Sequence, residues 1–327
     1  MAIRRVVYIA LSLVFLSCQT KTKAPVEVRC TFSADSAYSY IAQQVAFGAR
    51  VPESEPHKAC GDWLVSKLAQ FGAQVQNQYG TMINYAGEQQ PLRNISAYFE
   101  GSTPSAIMLC AHWDSRPWSD EEEDYDERFT PVLGANDGAS GVGVILEILR
   151  QLNEMKANGE VVPSVKILFF DCEDMGTPNH YTGLQREHTW CLGSQYWAQQ
   201  FVRQKSKPNI QYGILLDMVG DPSATFPREY FSMTYAGGYV ERVWRTAAKL
   251  GFGRYFLNQA TYYPITDDHY YVSTIAGIPC MDIIDYKPNT ETGFADWWHT
   301  RQDNMQNINK QTLQAVGETV LTTICSK

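Results

Sequence analysis

The chain has 327 residues, of which 44% are hydrophobic and 13% aromatic, which is ample material for one large packed domain. Its formal net charge is −8, and no Lys/Arg cluster stands outside the N-terminus. That excludes nucleic acid as a partner, because nucleic-acid binding needs a basic footprint.

The first element is not part of the fold. "MAIRR" is basic and "VVYIALSLVFL" is an apolar run of eleven residues, too short for the roughly 20 residues that span a bilayer. The two fit the charged and apolar regions of a secretory signal. "FLSC" resembles a bacterial lipoprotein cleavage box, which makes Cys18 the expected lipid-bearing residue, with ordinary cleavage nearby as the alternative. We therefore divide the chain into a signal and lipobox segment (1–18), a polar tether (19–29) and a folded domain (30–327). The expected location is outside the cytoplasm, facing the periplasm, with membrane contact only through a lipid on Cys18. Eight cysteines are present, at 18, 30, 60, 110, 172, 191, 280 and 325. A lipidated Cys18 leaves an odd number, so at least one thiol stays unpaired. No CxxC occurs, which argues against a cysteine zinc site.

Elements then follow in order. "SADSAYSYIAQQVAF" has apolar residues at helical spacing behind Ser33 and Asp35 as cap residues. "GDWLVSKLAQFG" predicts a second helix, with Trp63, Leu64, Leu68 and Phe71 on one face and Gly72 as its stop. "LRNISAYFEG" and "SAIMLCAHWD" predict strands, "GASGVGVILEILRQL" a helix, and "VKILFF" a buried strand. "GSQYWAQQFVRQ" is helical in pattern and "YGILLDMVG" is a strand. "VERVWRTAAKLG" predicts a helix, "IPCMDII" a short strand and "KQTLQAVGETVLTTI" a closing helix. Alternating strands and helices predict one α/β domain: an open, twisted, mixed sheet, parallel in its centre, with helices on both faces.

Polar residues recur where these strands end. His112 and Asp114 follow one strand, Glu173 and Asp174 another, and Asp217 a third. Asp137 stands in "GANDGASG" before a helix. Open α/β sheets place ligands beyond the carboxyl ends of their strands. A single acid there reads as a helix cap or turn former. Several together concentrate negative charge that a cation must balance. His299, in "DWWHTRQDN", adds an imidazole, and carboxylates with imidazole suit zinc.

These residues resemble the M28-type zinc peptidase family, which carries in order a His-x-Asp, an Asp in a small-residue loop, a Glu-Glu or Glu-Asp pair, a further Asp and a late His. The matches are "HWD", "NDGASG", "CEDMG", "LLDMVG" and "WWHT", and the likeness runs from about Ala34 to the end. It implies a zinc-aminopeptidase-like sheet. The chain is more closely similar to glutaminyl-peptide cyclotransferases of the animal type, which also occur in bacteria. "AHWDSRPW" resembles their "CHYDSK" segment, "ITDDH" puts Asp267 where aminopeptidases usually carry serine, and "DWWHT" puts Trp298 before the late histidine. "PSATFP" also resembles a cyclase stretch.

That resemblance implies a catalytic domain converting N-terminal glutamine of peptides and proteins to pyroglutamate with release of ammonia. It implies one zinc per chain, held by Asp137, Asp174 and His299, with His112 and Asp217 unmetallated. Glu173 becomes the acid–base residue, networked with Asp217 and Asp267; such a cluster cannot be fully ionised, so one pKa must rise. Trp298, His112 and Trp190 become the substrate-binding residues, Trp190 being the aromatic in a loop that departs from the animal pattern. The alternative for Asp267 is a helix cap, and for Trp298 a core aromatic. A dizinc aminopeptidase with water as nucleophile stays open beside the cyclase. Asp171 and Cys172 read as strand-end structure and His269 as a hydrogen-bond partner. His57, His180 and His188 read as surface or loop residues, and "SDEEEDYDE" as a solvated loop. We expect a monomer.

Overall fold

The computed structural model describes residues 31–326. The signal segment, Cys18 and the tether lie outside the described residues. Ser33 accepts the Ser36 amide at 3.2 Å and caps helix α1 (Ala34–Ala46). Helix α2 (Glu55–Gln70) starts earlier than the periodicity suggested, because Ser54 caps it and Pro56 occupies its first turn. Strand β1 (Gln74–Ile83) was not anticipated; it is a sheet edge with mixed exposure on both faces, so no apolar alternation marks it. It pairs antiparallel with β2 (Gln89–Phe99). Then come β3 (Ala106–His112), α3 (Ala139–Ala157), β4 (Ser164–Phe170), α4 (Leu192–Arg203) and β5 (Ile210–Asp217). The short β6 (Phe226–Arg228) precedes α5 (Tyr230–Lys249), and β7 (Phe256–Ala260) pairs with β6 in a separate two-stranded sheet. Short α6 (Asp268–Tyr271), β8 (Cys280–Ile284) and α7 (Lys310–Cys325) complete the chain.

The main sheet has the order β1-β2-β4-β3-β5-β8. β4, β3, β5 and β8 are mutually parallel, while β2 runs antiparallel to β4. The parallel strands are apolar on both faces, as strands covered by helices on both sides must be. Leu109, Ile167, Ile214 and Ile283 pack into the larger core, with residues of α1, α3 and α7. Met108, Leu168, Leu215 and Cys280 face the opposite side, against Trp197 and Phe201 of α4. The connection β3-α3-β4 moves one way along the sheet, and β4-α4-β5 crosses back past β3. The chain therefore reverses direction beside β3, and a reversal of this kind opens a crevice beyond the strands' carboxyl ends.

Two glycines set that end of the sheet. Gly138 adopts φ 89°, and a Cβ there would sit 2.8 Å from the Asp114 carbonyl oxygen. A Cβ on Gly141 would sit 2.0 Å from the Leu216 carbonyl oxygen, so the first turn of α3 presses directly onto β5. Both approaches bring the Asp137 loop against the ends of β3 and β5.

Candidate active site

The strand-end residues converge. His112 Nε2 lies 2.9 Å from Asp137 Oδ1 and 3.3 Å from Asp217 Oδ1. His299 Nε2 lies 3.1 Å from Asp174 Oδ1 and 3.3 Å from Asp137 Oδ2. Asp137 thus bridges the two imidazoles. His112, Asp137 and Asp174 offer ligand atoms all within 4.8 Å of one another. This donor set, imidazoles with carboxylates from separate elements and all buried, fits a zinc ion.

Backbone geometry explains how an apolar strand ends in working acids. Cys172, just after β4, adopts a left-handed φ of 55°, which turns Glu173 and Asp174 away from the strand line. Asp114 then accepts the Glu173 amide at 3.2 Å and the Asp174 amide at 3.1 Å. Met218 (φ 50°) and His299 (φ 54°) share the left-handed region, an unfavourable conformation for residues with a Cβ that concentrates at functional sites. Asp171, read as strand-end structure, is an anchor: it accepts the Arg93 amide at 2.6 Å and faces His57 Nε2 at 2.8 Å. His57 is therefore not a surface residue. It is 4% exposed, sits in α2 and stacks on Trp113 with ring centroids 4.0 Å apart. His180 and His188 are loop residues, as expected.

A cavity of about 880 Å³ opens over these acids, lined among others by Glu173, Asp217, Asp267, Trp190, Trp298 and His299. Glu173, Cys191 and Asp267 bring their side-chain atoms within 4.8 Å of one another, and the Cys191 thiol donates to Glu173 Oε1 at 3.1 Å. Asp267 is also the N-cap of α6, accepting the Asp268 amide at 2.5 Å, so the capping alternative and the site placement hold together. Both tryptophans lie parallel to the His299 ring, Trp298 at a centroid distance of 3.5 Å and Trp190 at 5.9 Å. His112 is 1% exposed and sits behind the carboxylates rather than on the cavity wall.

Burial dominates the electrostatics. It pushes Glu173 well above the usual carboxylate range, with Asp174 adding to the effect. It pushes Asp217 up to about 8, against the opposing His112 contact and with help from Asp137. Burial disfavours the charged form of His112, yet hydrogen bonding to Asp114, Asp137 and Asp217 raises it well above its ordinary value. A bound cation would relieve the same repulsion by placing positive charge among the acids.

Sequence reasoning missed several supporting residues. Asp120, in the run read as a solvated loop, is 1% exposed. It forms a two-pronged ion pair with buried Arg116, at 2.7 and 2.6 Å, and lies 3.8 Å from His299 Nδ1. Arg116 also donates to the Asp174 carbonyl oxygen at 3.0 Å and stacks over Trp190 at 4.6 Å. The acids after Asp120 in that run are partly or fully exposed; the spacing of Arg116 four residues before Asp120 was the available signal. Asp303, four residues after His299, accepts the amides of Asn136 at 2.7 Å and Asp137 at 3.0 Å and holds that loop in place.

At 49% identity the chain is similar to a Zn-dependent exopeptidase from Parabacteroides distasonis, with a TM-score of 0.84 over 90% of this chain and 99% of that one. At 45% identity it is similar to Tannerella forsythia glutaminyl cyclase, with a TM-score of 0.85 over 91% of this chain and 99% of that one. It is 30% identical to aminopeptidase YwaD of Bacillus subtilis over 66% of this chain and 40% of that protein. It is 25% identical to bovine glutaminyl-peptide cyclotransferase over 67% of this chain and 62% of that protein. The chain thus spans less than two thirds of the length of these two relatives. The model of peptidase family M28 matches residues 94–324, and the chain belongs to that family.

Proposed function

We propose that this protein is a glutaminyl-peptide cyclotransferase, which closes N-terminal glutamine of peptides and proteins to pyroglutamate and releases ammonia. The observation that carries the reading is the triple-acid wall of Glu173, Asp217 and Asp267 beside the zinc-binding set, flanked by Trp190 and Trp298, in a chain 45% identical to a bacterial glutaminyl cyclase over 91% of its length. Asp137, Asp174 and His299 would hold one zinc. When bound, the ion supplies Lewis-acid polarisation of the substrate's γ-carbonyl oxygen.

The chain's own residues do the rest. Trp298 and Trp190 clamp the folded-back glutamine side chain and keep water from the reacting carbon. Glu173 takes a proton from the substrate's α-amine as that nitrogen bonds to the carbonyl carbon of the side-chain amide, and passes it to the amide nitrogen as its bond to that carbon breaks and it leaves as ammonia. Asp217 and Asp267 hold Glu173 in place and hydrogen-bond the reacting nitrogens. His112, behind the carboxylates, orients Asp137 and Asp217. Positioned proton transfer of this kind contributes roughly 100- to 10,000-fold.

A second reading, a dizinc aminopeptidase, draws on Asp137 standing between His112 and His299, as a carboxylate shared by two metals would. One experiment separates the two: incubation with a Gln-initiated dipeptide derivative, following ammonia and product mass. Loss of ammonia with the peptide bond intact supports the cyclase; cleavage of the peptide bond refutes it. Metal analysis is the companion measurement, with one tightly bound zinc per chain expected and two counting for the peptidase.

Among the described residues no helix is long and apolar enough to cross a membrane. The signal reading of residues 1–18 makes the enzyme a periplasm-facing lipoprotein anchored through Cys18, acting on exported chains that begin with glutamine. Mass spectrometry of the mature N-terminus tests this; an unmodified terminus would refute the anchor.

A further inference from the structure

Behind Asp267 lies a buried polar layer that the proposed chemistry does not use. Glu229 is 0% exposed and fully occupied. Its Oε1 accepts the amides of Phe231 at 2.9 Å and Ile265 at 3.1 Å. Its Oε2 accepts the Ser232 amide at 2.6 Å and hydroxyl at 2.9 Å and faces His269 Nε2 at 3.0 Å. One carboxylate thus ties the start of α5 to the loop before Asp267 and to α6 just after it. Ser232 extends the tie to β8, its hydroxyl oxygen accepting the Asp282 amide at 2.9 Å.

Asp282 is the opposite case. It too is 0% exposed, yet neither of its carboxyl oxygens has a hydrogen-bond partner, and neither does Asp267 Oδ2 nor His269 Nδ1. Asp267, His269 and Asp282 present atoms all within 4.8 Å of one another, with His269 Nδ1 at 3.6 Å from Asp282 Oδ2. Several buried acceptors face one another and no donor serves them, an arrangement costly unless a proton sits among them.

We propose that Asp282 and Glu229 are positioning residues for the reaction: Glu229 pins the segment from Ile265 to His269, and Asp282 donates a carboxyl hydrogen bond to the inner oxygen of Asp267, aiming its outer face at Glu173. The inference rests on the cyclase reading of Glu173 and Asp267. The electrostatics agree. Burial, with the charges of Asp267, Asp217 and Glu229, raises Asp282 well above the carboxylate range, the direction that favours its protonated form. Burial opposes ionisation of Glu229, but the His269 ring and the Phe231 and Ser232 amides outweigh it and hold Glu229 down at about 2.

The test compares Asp282→Asn, which keeps a donor at the same place, with Asp282→Val, which removes it, in the zinc-loaded enzyme assayed by ammonia release. Asp282→Val is expected to lower kcat by about 10- to 100-fold, the usual loss when an outer partner of a working group is removed. KM and zinc content should not change. Asp282→Asn should restore kcat to within about threefold of wild type. Glu229→Gln should lower kcat by about tenfold at unchanged KM. A folded, zinc-loaded Asp282→Val with wild-type kcat overturns the proposal, and so does an Asn variant as impaired as the Val variant. Should Asp282→Val fail to fold, wild-type kcat in Glu229→Gln overturns it alone. If the wild type cleaves the peptide bond instead, the cyclase reading fails, and the same kcat ratios measured on hydrolysis decide the positioning role separately.

Discussion

Asp120→Ala asks whether the loop read from sequence as solvated is in fact part of the site. Asp120 and Arg116 are each 1% exposed. The substitution strips the guanidinium of two hydrogen bonds, at 2.7 and 2.6 Å, and leaves the Asn179 amide, 3.0 Å from Asp120 Oδ2, without its acceptor. Breaking a buried pair by removing one partner costs about 3–5 kcal/mol, because the other charge is left uncompensated. The exposed remainder of the run should contribute almost nothing. The loss should also reach the metal, since Arg116 holds the Asp174 carbonyl oxygen and Asp120 lies beside His299 Nδ1. Removal of outer partners weakens metal affinity by about 10- to 100-fold. The assay is urea unfolding of the zinc-loaded protein together with zinc titration. The double variant Arg116→Met/Asp120→Leu should recover most of the stability, giving a coupling energy above about 2 kcal/mol. Additive single and double variants, or an Asp120→Ala protein with wild-type stability and zinc affinity, would refute the reasoning. Burial opposes ionisation of Asp120, but the Arg116 bond outweighs it and holds the carboxyl below its ordinary value. The stability this group supplies is therefore present above the carboxylate's unfolded pKa and lost as pH falls through the depressed one.

Other outcomes follow from the same geometry. Glu173→Gln should lose roughly 100- to 10,000-fold in kcat while binding zinc normally; an active variant shows that the acid–base assignment is wrong. Asp174→Ala should abolish both zinc binding and activity, and chelation of the wild type should lower its thermal midpoint, because a metal that binds only the folded state stabilises it. Lys166, in β4, is pushed by burial from its ordinary 10.5 down to about 8, a gap worth about 3 kcal/mol. That cost is fully present below pH 8 and disappears as pH rises towards 10.5. Lys166→Met should therefore be more stable at neutral pH and lack the gain in stability between pH 8 and 10.5; an unchanged stability profile would count against the buried cation.

The strongly patterned elements were legible because burial imposes a pattern. "VKILFF" and "SAIMLCA" are covered on both faces and read as unbroken apolar runs; α3 and α7 show helical spacing. The misses have equally local causes. β1 exposes part of both faces, so its side chains need no alternation. α5 begins with Tyr230 and its neighbours, about three turns before the apolar stripe of "VERVW", because the Glu229 cap rather than periodicity sets its start.

For the site, chemistry was legible in residue type and position: acids that end apolar strands, a small-residue loop holding Asp137, and a late histidine with a tryptophan before it. What the sequence could not supply was the partner of each group. Asp120 and Glu123 look alike in an acidic run, yet one is sealed against Arg116 and the other faces solvent. Asp171 and Asp174 stand three residues apart, yet one anchors Arg93 and His57 while the other faces His299. Sequence by itself determined which side chains can carry charge, bind metal or stack, and that the α/β alternation brings strand ends to one edge. The tertiary structure alone decided which of those charges lose their water and which neighbours compensate them, because desolvation and hydrogen bonding depend on distances set by the packed fold, as between His112 and Asp217 or between His299 and Asp174.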